Sequence, residues 1–195
     1  MKGLEKLTPI RLAEVLSQKG LVNGEVIADA LYANDKYRES FTEILISGGH
    51  ITEWDLAKSV VEHFQLPFVM SSSHEVPQEV RSRLPKDLLF ANLLVPLDLF
   101  HDVMTLVMPI FTPYDTIKAI QTEHQVHIYP YVGLPSENKT VLGEMFPDYR
   151  EWCAQQQREL DARRKRKQKR SDGDDDWMSL FDSADAAVRG NLPKS

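Results

Sequence analysis

The chain has 195 residues, 42% of them hydrophobic, a formal net charge of -6 and a single cysteine, Cys153. That length holds one ordinary domain, or two small ones, plus a tail, and the apolar share is enough for a packed core. The negative balance argues against general nucleic-acid affinity, and one thiol cannot form an internal disulfide, so nothing points to an oxidising compartment.

The opening stretch, MKGLEKLTPIRLAEVLSQKG, has neither the apolar run nor the cleavage site of a signal peptide. A soluble intracellular protein is expected. Thr8 and Pro9 make a helix start, a cap followed by proline in the first turn. Leu12, Val15 and Leu16 share a face, and Gly20 stops the helix. Asn23 caps a second helix carrying Val26, Ile27, Ala30 and Leu31. The pattern then recurs 29 positions on. RLAEVLSQKGLV (11–22) is echoed by SFTEILISGGHI (40–51). Glu14 repeats as Glu43, Leu16 as Leu45, Gly20 as Gly49, and Val22 as Ile51. Thr52 caps the next helix, with Asp55 as a capping-box partner, and Leu56, Val60 and Val61 continue the stripe. Residues 8–64 therefore read as two helix–turn–helix units packed as a four-helix layer.

After Phe64 the period changes. LPFVM (66–70) reads as a strand, and 80–93 as helical with a break at Pro85. LLVPLDLF (93–100) and DVMTLVMPIF (102–111) read as a hairpin turning at His101–Asp102. This apolar region is broken by Pro96, Asp98, His101, Asp102 and Pro109, which excludes a membrane helix. Thr112 and Pro113 repeat the cap-then-proline start and open a helix to about Glu123. VHIYPYVG (126–133) is another strand, and 138–146 a short helix. The fold class is α+β, a helical half (8–64) followed by a small sheet with packed helices (65–147).

From Tyr149 the pattern is polar and helical. Seven of the eight residues in 163–170 are Lys or Arg, and Asp174–Asp176 follow. We expect a basic helix over 148–170 and a disordered, charged tail over 171–195. The run has the field to attract an anionic membrane or nucleic acid, but the acids after it offset that field and no aromatics are interleaved for base stacking. Within the tail, Trp177, Met178, Leu180 and Phe181 form an apolar island that could dock a partner on folding.

GLPSENKT (133–140) nearly spells a phosphate loop, but Asn138 stands at its second glycine, Glu137 sets a negative charge at the anion position, and Pro135 removes a donor. An ordinary strand–loop–helix is the expectation. His124 and His127 have no carboxylate or cysteine to complete a metal set, so no metal is expected. No catalytic triad or held carboxylate pair is legible, and no enzyme activity is expected.

The duplicated stretch resembles the N-terminal domain of type II secretion and type IV pilus assembly ATPases, the general secretion pathway protein E family with its MshE-type N-terminal domain. In that family each of two motifs opens on Arg-Leu-Gly, carries an inner glycine and spaced leucines, and ends on glutamine. Here the motifs are 11–34 and 40–63 with a spacer at 35–39. LPF, the Leu-Pro at 84–85, LLVPLDLF and MTLVMPIF extend the resemblance across about 8–146.

The resemblance implies cyclic di-GMP as a ligand of the best-equipped relatives, held by a guanidinium fork and a closely approached glycine backbone. In the first motif Arg11, Leu12, Gly20, Ile27 and Leu31 fit, with Ala13 for glycine and Asn34 for glutamine. In the second, Gly49, Leu56 and Val60 fit, while Ser40, Phe41 and Thr42 replace Arg-Leu-Gly and His63 replaces glutamine. The retained positions are mostly those a four-helix core needs, and the lost ones are mostly those that would touch a nucleotide. The expectation is a stand-alone, non-catalytic adaptor or regulatory domain without a resident cofactor. The alternative is a cyclic di-GMP receptor with a degenerate site. Implied partners are secretion or pilus components such as an inner-membrane platform protein or an assembly ATPase, met in the cytoplasm at the inner membrane.

Overall fold

The computed structural model describes residues 3–159, 161 and 162. The chain divides into two compact units, Met1–Pro147 and Asp148–Ser195.

After a 3-10 turn at Leu4–Lys6, the first unit forms the four expected helices: α1 (Pro9–Gln18), α2 (Gly24–Tyr37), α3 (Phe41–Ser47) and α4 (Glu53–Phe64). Each start is held by a side-chain cap that satisfies an orphan N–H. Thr8 accepts from Arg11 N, Asn23 from Glu25 N, Ser40 from Glu43 N, and Thr52 from Asp55 N. The Thr52 hydroxyl also donates to the Asp55 carboxylate at 2.7 Å.

The repeat holds at the level of individual bonds. Lys19, Gly20 and Leu21 donate to Val15, Ser17 and Leu16, and Gly48, Gly49 and His50 donate to Ile44, Ile46 and Leu45, all at 3.0 Å. Gly20 and Gly49 sit at φ +63° and +70°, a conformation that costs an L side chain strain, which is why both stops are glycine. Leu12, Val15, Leu16, Ile27, Ala30, Phe41, Leu45, Leu56 and Val60 are buried together as the core of this layer. Lys19 reaches from the end of α1 to Glu62 on α4 at 2.9 Å, and this hydrogen bond holds the Glu62 carboxyl below its ordinary pKa.

The second half departs from expectation in three places. The strand expected over 66–70 is a single bridge, Phe68 beside Val132. Val69 N donates to Val132 O and Val132 N to Pro67 O. Pro67 has no N–H of its own, and a 3-10 turn at Ser71–Ser73 takes the chain away. The helix expected from Thr112 starts later, as α7 (Tyr114–His124), with Pro113 at its cap and no side-chain cap bond. Thr112 is instead buried. The helix expected over 138–146 starts earlier, as α8 (Pro135–Met145), because Pro135 is pre-set for the first helical position. Between the halves lie α5 (Gln78–Arg81) and α6 (Lys86–Asn92), separated at Pro85 as expected.

The sheet has the order β1 (Val95–Phe100), β2 (Val103–Pro109), β3 (His127–Gly133). β1 and β2 form the expected antiparallel hairpin, turning at His101, whose φ is +54°. β2 and β3 are parallel, joined through α7. Met104, Leu106 and Met108 on β2 and their partners Ile128, Pro130 and Val132 on β3 are all buried, so this face is covered along β2 and β3. The opposite face is covered only at its far end. There Gly133 lies so close to Val107 that an added Cβ would sit 2.4 Å from Val107 Cγ1.

Helix α8 joins the two halves. Asn138 is wholly buried, donating to Leu93 O and accepting from Ser71 Oγ, both at 2.9 Å. Ser136 donates its N–H and hydroxyl to the Glu53 carboxylate of α4, the hydroxyl at 2.5 Å. Trp54 packs on Phe68 with ring centroids 5.5 Å apart.

In the second unit residues 149–159 are helical, and the Tyr149 and Trp152 rings stack. The basic run at 163–170 and the tail over 171–195, including Trp177, Met178, Leu180 and Phe181, lie outside the described residues. No helix among the described residues is long and apolar enough to cross a membrane.

Candidate functional site

The apolar motif positions are core. Leu12, Ala13, Ile27, Phe41, Leu56 and Val60 are buried, as is Thr42, and Leu31 is half-buried. Their side chains fill the helical layer and present little to a ligand. The polar motif positions lie at the surface, but most are already bonded. Arg11, at the first turn of α1, pairs with Glu14 at 3.2 Å. Asn34 donates to Glu39 O at 2.6 Å, and the Ser40 hydroxyl bonds to Thr42 at 3.1 Å. His63 stands edge-on to Phe64 on the last turn of α4.

Two clefts gather some of these positions. The larger, about 910 Å³, is lined by Gly3, Glu5, Lys6, Thr8, Arg11, His63, Phe64 and Gln65. It brings the start of the first motif, Arg11, to the end of the second, His63. The duplication explains why. The equivalent juncture joins the end of the first motif, Asn34, to the start of the second, Ser40. There the spacer runs directly across, and Asn34 bonds to it at Glu39. One juncture between the two motifs is thus bridged by chain, and the other opens as this cleft. A second cleft, about 470 Å³, lies beside Gly49, between Leu21, Ile46, His50, Ile51, Thr52 and Asp55. Gly20, Asn34 and Ser40 line neither.

The cleft at Arg11 holds both charge signs. Lys6, Arg11 and the His63 ring would favour an anion, and Glu5 opposes it. Glu5 also accepts from the Tyr114 hydroxyl at 3.4 Å, and desolvation together with this carboxylate raises the Tyr114 pKa. Of these lining residues only Arg11 and His63 were legible as candidates. Gly3, Glu5, Lys6 and Gln65 lie outside the repeat and carry no motif signal.

The stretch GLPSENKT forms no phosphate cradle. Leu134 caps α8 directly and Pro135 begins it, so no loop wraps an anion. The N–H of Ser136 is occupied by Glu53. Glu137 turns sideways to accept from the N–H and hydroxyl of Ser72. The two histidines weighed for metal are split between elements, with His124 ending α7 and His127 opening β3 beside Asp102 at 3.5 Å. Among the described residues no three His, Cys, Asp or Glu side chains gather as a metal site.

No family model matches the chain. The type IV pilus assembly ATPase PilB of Thermus thermophilus is 24% identical to it over 140 residues, which is 71% of this chain and 16% of PilB. Among solved structures, MshE with cdg superimposes with a TM-score of 0.56 at 17% identity, over 70% of this chain and 99% of that one. The N-terminal domain of XpsE superimposes with a TM-score of 0.58 at 21% identity, over 71% and 96%. The chain therefore has the fold of the N-terminal domains of type II secretion and type IV pilus assembly ATPases, as the duplicated motif led us to expect. These structural matches are to such domains rather than to a catalytic ATPase domain.

Proposed function

We propose that this chain acts as a non-catalytic adaptor or regulatory domain of a type II secretion or type IV pilus-like machine, working through protein–protein contacts. The observation that carries this reading is the internal use of the motif residues. Thr42 is buried, Asn34 is bonded to its own spacer, and Arg11 is paired with Glu14. What the repeat retains is a scaffold. Partners of the expected kind are an inner-membrane platform protein or an assembly ATPase, met at the cytoplasmic side of the inner membrane. A pull-down with the full chain tests this. Recovery of a secretion or pilus component supports the reading, and recovery of none counts against it.

The second reading is a cyclic di-GMP receptor with a degenerate site. The cleft that unites Arg11 with His63 favours it, and so does the likeness to MshE, whose structure was determined with cdg. Against it, the second motif offers Ser40 where a guanidinium fork would stand. Each lost guanidinium–guanine contact removes about 1–3 kcal/mol, so affinity would fall by orders of magnitude. Calorimetric titration with cyclic di-GMP separates the two. Micromolar binding abolished by Arg11→Ala would establish the receptor and displace the adaptor reading.

A further inference from the structure

Among the described residues one face of the sheet is left open, and its composition is unusual for a surface in contact with water. Phe100 is 72% exposed, Tyr129 52% and Val103 42%. They are neighbours in the ladder: Phe100 faces Val103, and Thr105 next along β2 faces Tyr129. Tyr131 continues the patch, its ring 5.6 Å from that of Tyr129. A parallel pair such as β2–β3 is ordinarily covered on both faces, and here one is covered only at its Val107–Gly133 end.

We propose that this face docks an amphipathic helix of a partner protein, one whose apolar stripe is flanked by Lys and Arg. The proposal rests on the adaptor reading and assigns its surface. Two observations select the occupant. First, both edges of the sheet are blunted against strand addition. On β1 Pro96 has no N–H, the ladder shifts register between Pro96 and Asp98, and the Leu99 N–H is taken by the Asp98 carboxylate at 2.8 Å; on β3 Pro130 has no N–H, the Ile128 N–H is taken by the Gln121 side chain at 2.9 Å, and the Val132 N–H by Pro67 O. A partner must therefore lie across the face, as a helix does on a sheet. Second, the three strands and their hairpin turn contain Asp98 and Asp102 but no Lys or Arg. The patch is acidic at its rim, which complements a basic flank on the partner. The same imbalance disfavours a second copy of this chain, since a two-fold contact would set Asp98 against its own copy with no Lys or Arg in the strands to meet it. It also disfavours nucleic acid, despite the aromatics.

The test uses two synthetic amphipathic helical peptides, one of Leu and Lys and one of Leu and Glu, titrated into the full chain and followed by amide chemical shifts. The Leu/Lys peptide is expected to shift amides of 98–105 and 127–131, and the Leu/Glu peptide to leave them in place. Phe100→Ala and Tyr129→Ala should each weaken that binding about tenfold or more, as truncated aromatics at an interface centre do. Both side chains are exposed, so the variants should fold, and an unchanged Tm verifies it. Shifts confined to other surfaces, no difference between the peptides, or full binding by both variants would overturn the proposal. The pull-down separates the two readings. A machine component recovered equally by wild type and by both variants removes this surface and leaves the adaptor. A wild type that recovers none removes the adaptor, and the peptide map then decides the surface alone.

Discussion

The contact between Glu53 and Ser136 makes a quantitative prediction. Glu53 belongs to the helical half, and its carboxylate serves as the missing N-terminal cap of α8 in the other half. Leu134, at the cap position, has no side chain able to do so. Removing the carboxylate with Glu53→Ala breaks the bonds to the Ser136 N–H and hydroxyl. A hydrogen bond to a charged group contributes about 1.5–3 kcal/mol, and an anion at a helix start adds about 0.3–1 kcal/mol. Both figures shrink here because the contact is solvent-accessible and water can replace the carboxylate. The expected loss is about 1–2 kcal/mol, within the range for deleting a helix cap. Glu53→Gln keeps an acceptor and should lose about half as much. Glu14→Ala, which removes only an exposed pair with Arg11, should cost less than about 0.5 kcal/mol. Urea unfolding followed by far-ultraviolet circular dichroism measures all three. A double-mutant cycle with Ser136→Ala should return a coupling of at least about 0.5 kcal/mol. A Glu53→Ala variant as stable as Glu14→Ala, or a cycle with no coupling, would refute the cap.

Because the two turns are superimposable bond for bond, Gly20→Ala and Gly49→Ala should cost similar amounts, about 1 kcal/mol each, in the same unfolding assay. Leu16→Ala and Leu45→Ala, at equivalent and wholly buried positions, should each cost about 2–5 kcal/mol and lower the Tm accordingly. Asn138→Ala would strand Leu93 O and the Ser71 hydroxyl inside the protein, for a loss of about 2–3 kcal/mol by denaturant titration. Arg11→Ala should leave stability within about 0.5 kcal/mol of wild type, so any change in cyclic di-GMP titration with that variant reports binding rather than folding.

The helical half was legible because its instructions are local. Thr8, Asn23, Ser40 and Thr52 bond within three residues of themselves, and Gly20 and Gly49 answer to their own φ. The errors fell where a distant residue decides. Thr112 looks like a cap, yet burial claims it. The start of α8 is set locally by Pro135, but its cap is Glu53, 83 positions before Ser136, and no local pattern announces that pairing. The strand expected at 66–70 was curtailed by a proline and by the need to meet β3 at one point only. The site was legible in the same partial way. The repeat identified Arg11 as the start of the first motif and His63 as the end of the second, but that they line one cleft is a property of the folded helices. Phe100 and Tyr129 fit the alternation of their strands, but which face is left open depends on where α7 and α8 pack.

The open juncture between the two motifs separates two kinds of change. Its walls come partly from the repeat and partly from Gly3, Glu5 and Lys6, which belong to neither copy. A substitution at Glu5 or Lys6 alters the charge of the cleft without touching a cap, a glycine stop or a core leucine. Substitutions in the repeat itself are constrained by folding, and those in the leading segment at Glu5 and Lys6 are far less so. The charge of this cleft can therefore change at Glu5 and Lys6, two exposed side chains set between the buried Leu4 and Leu7, at little cost in stability.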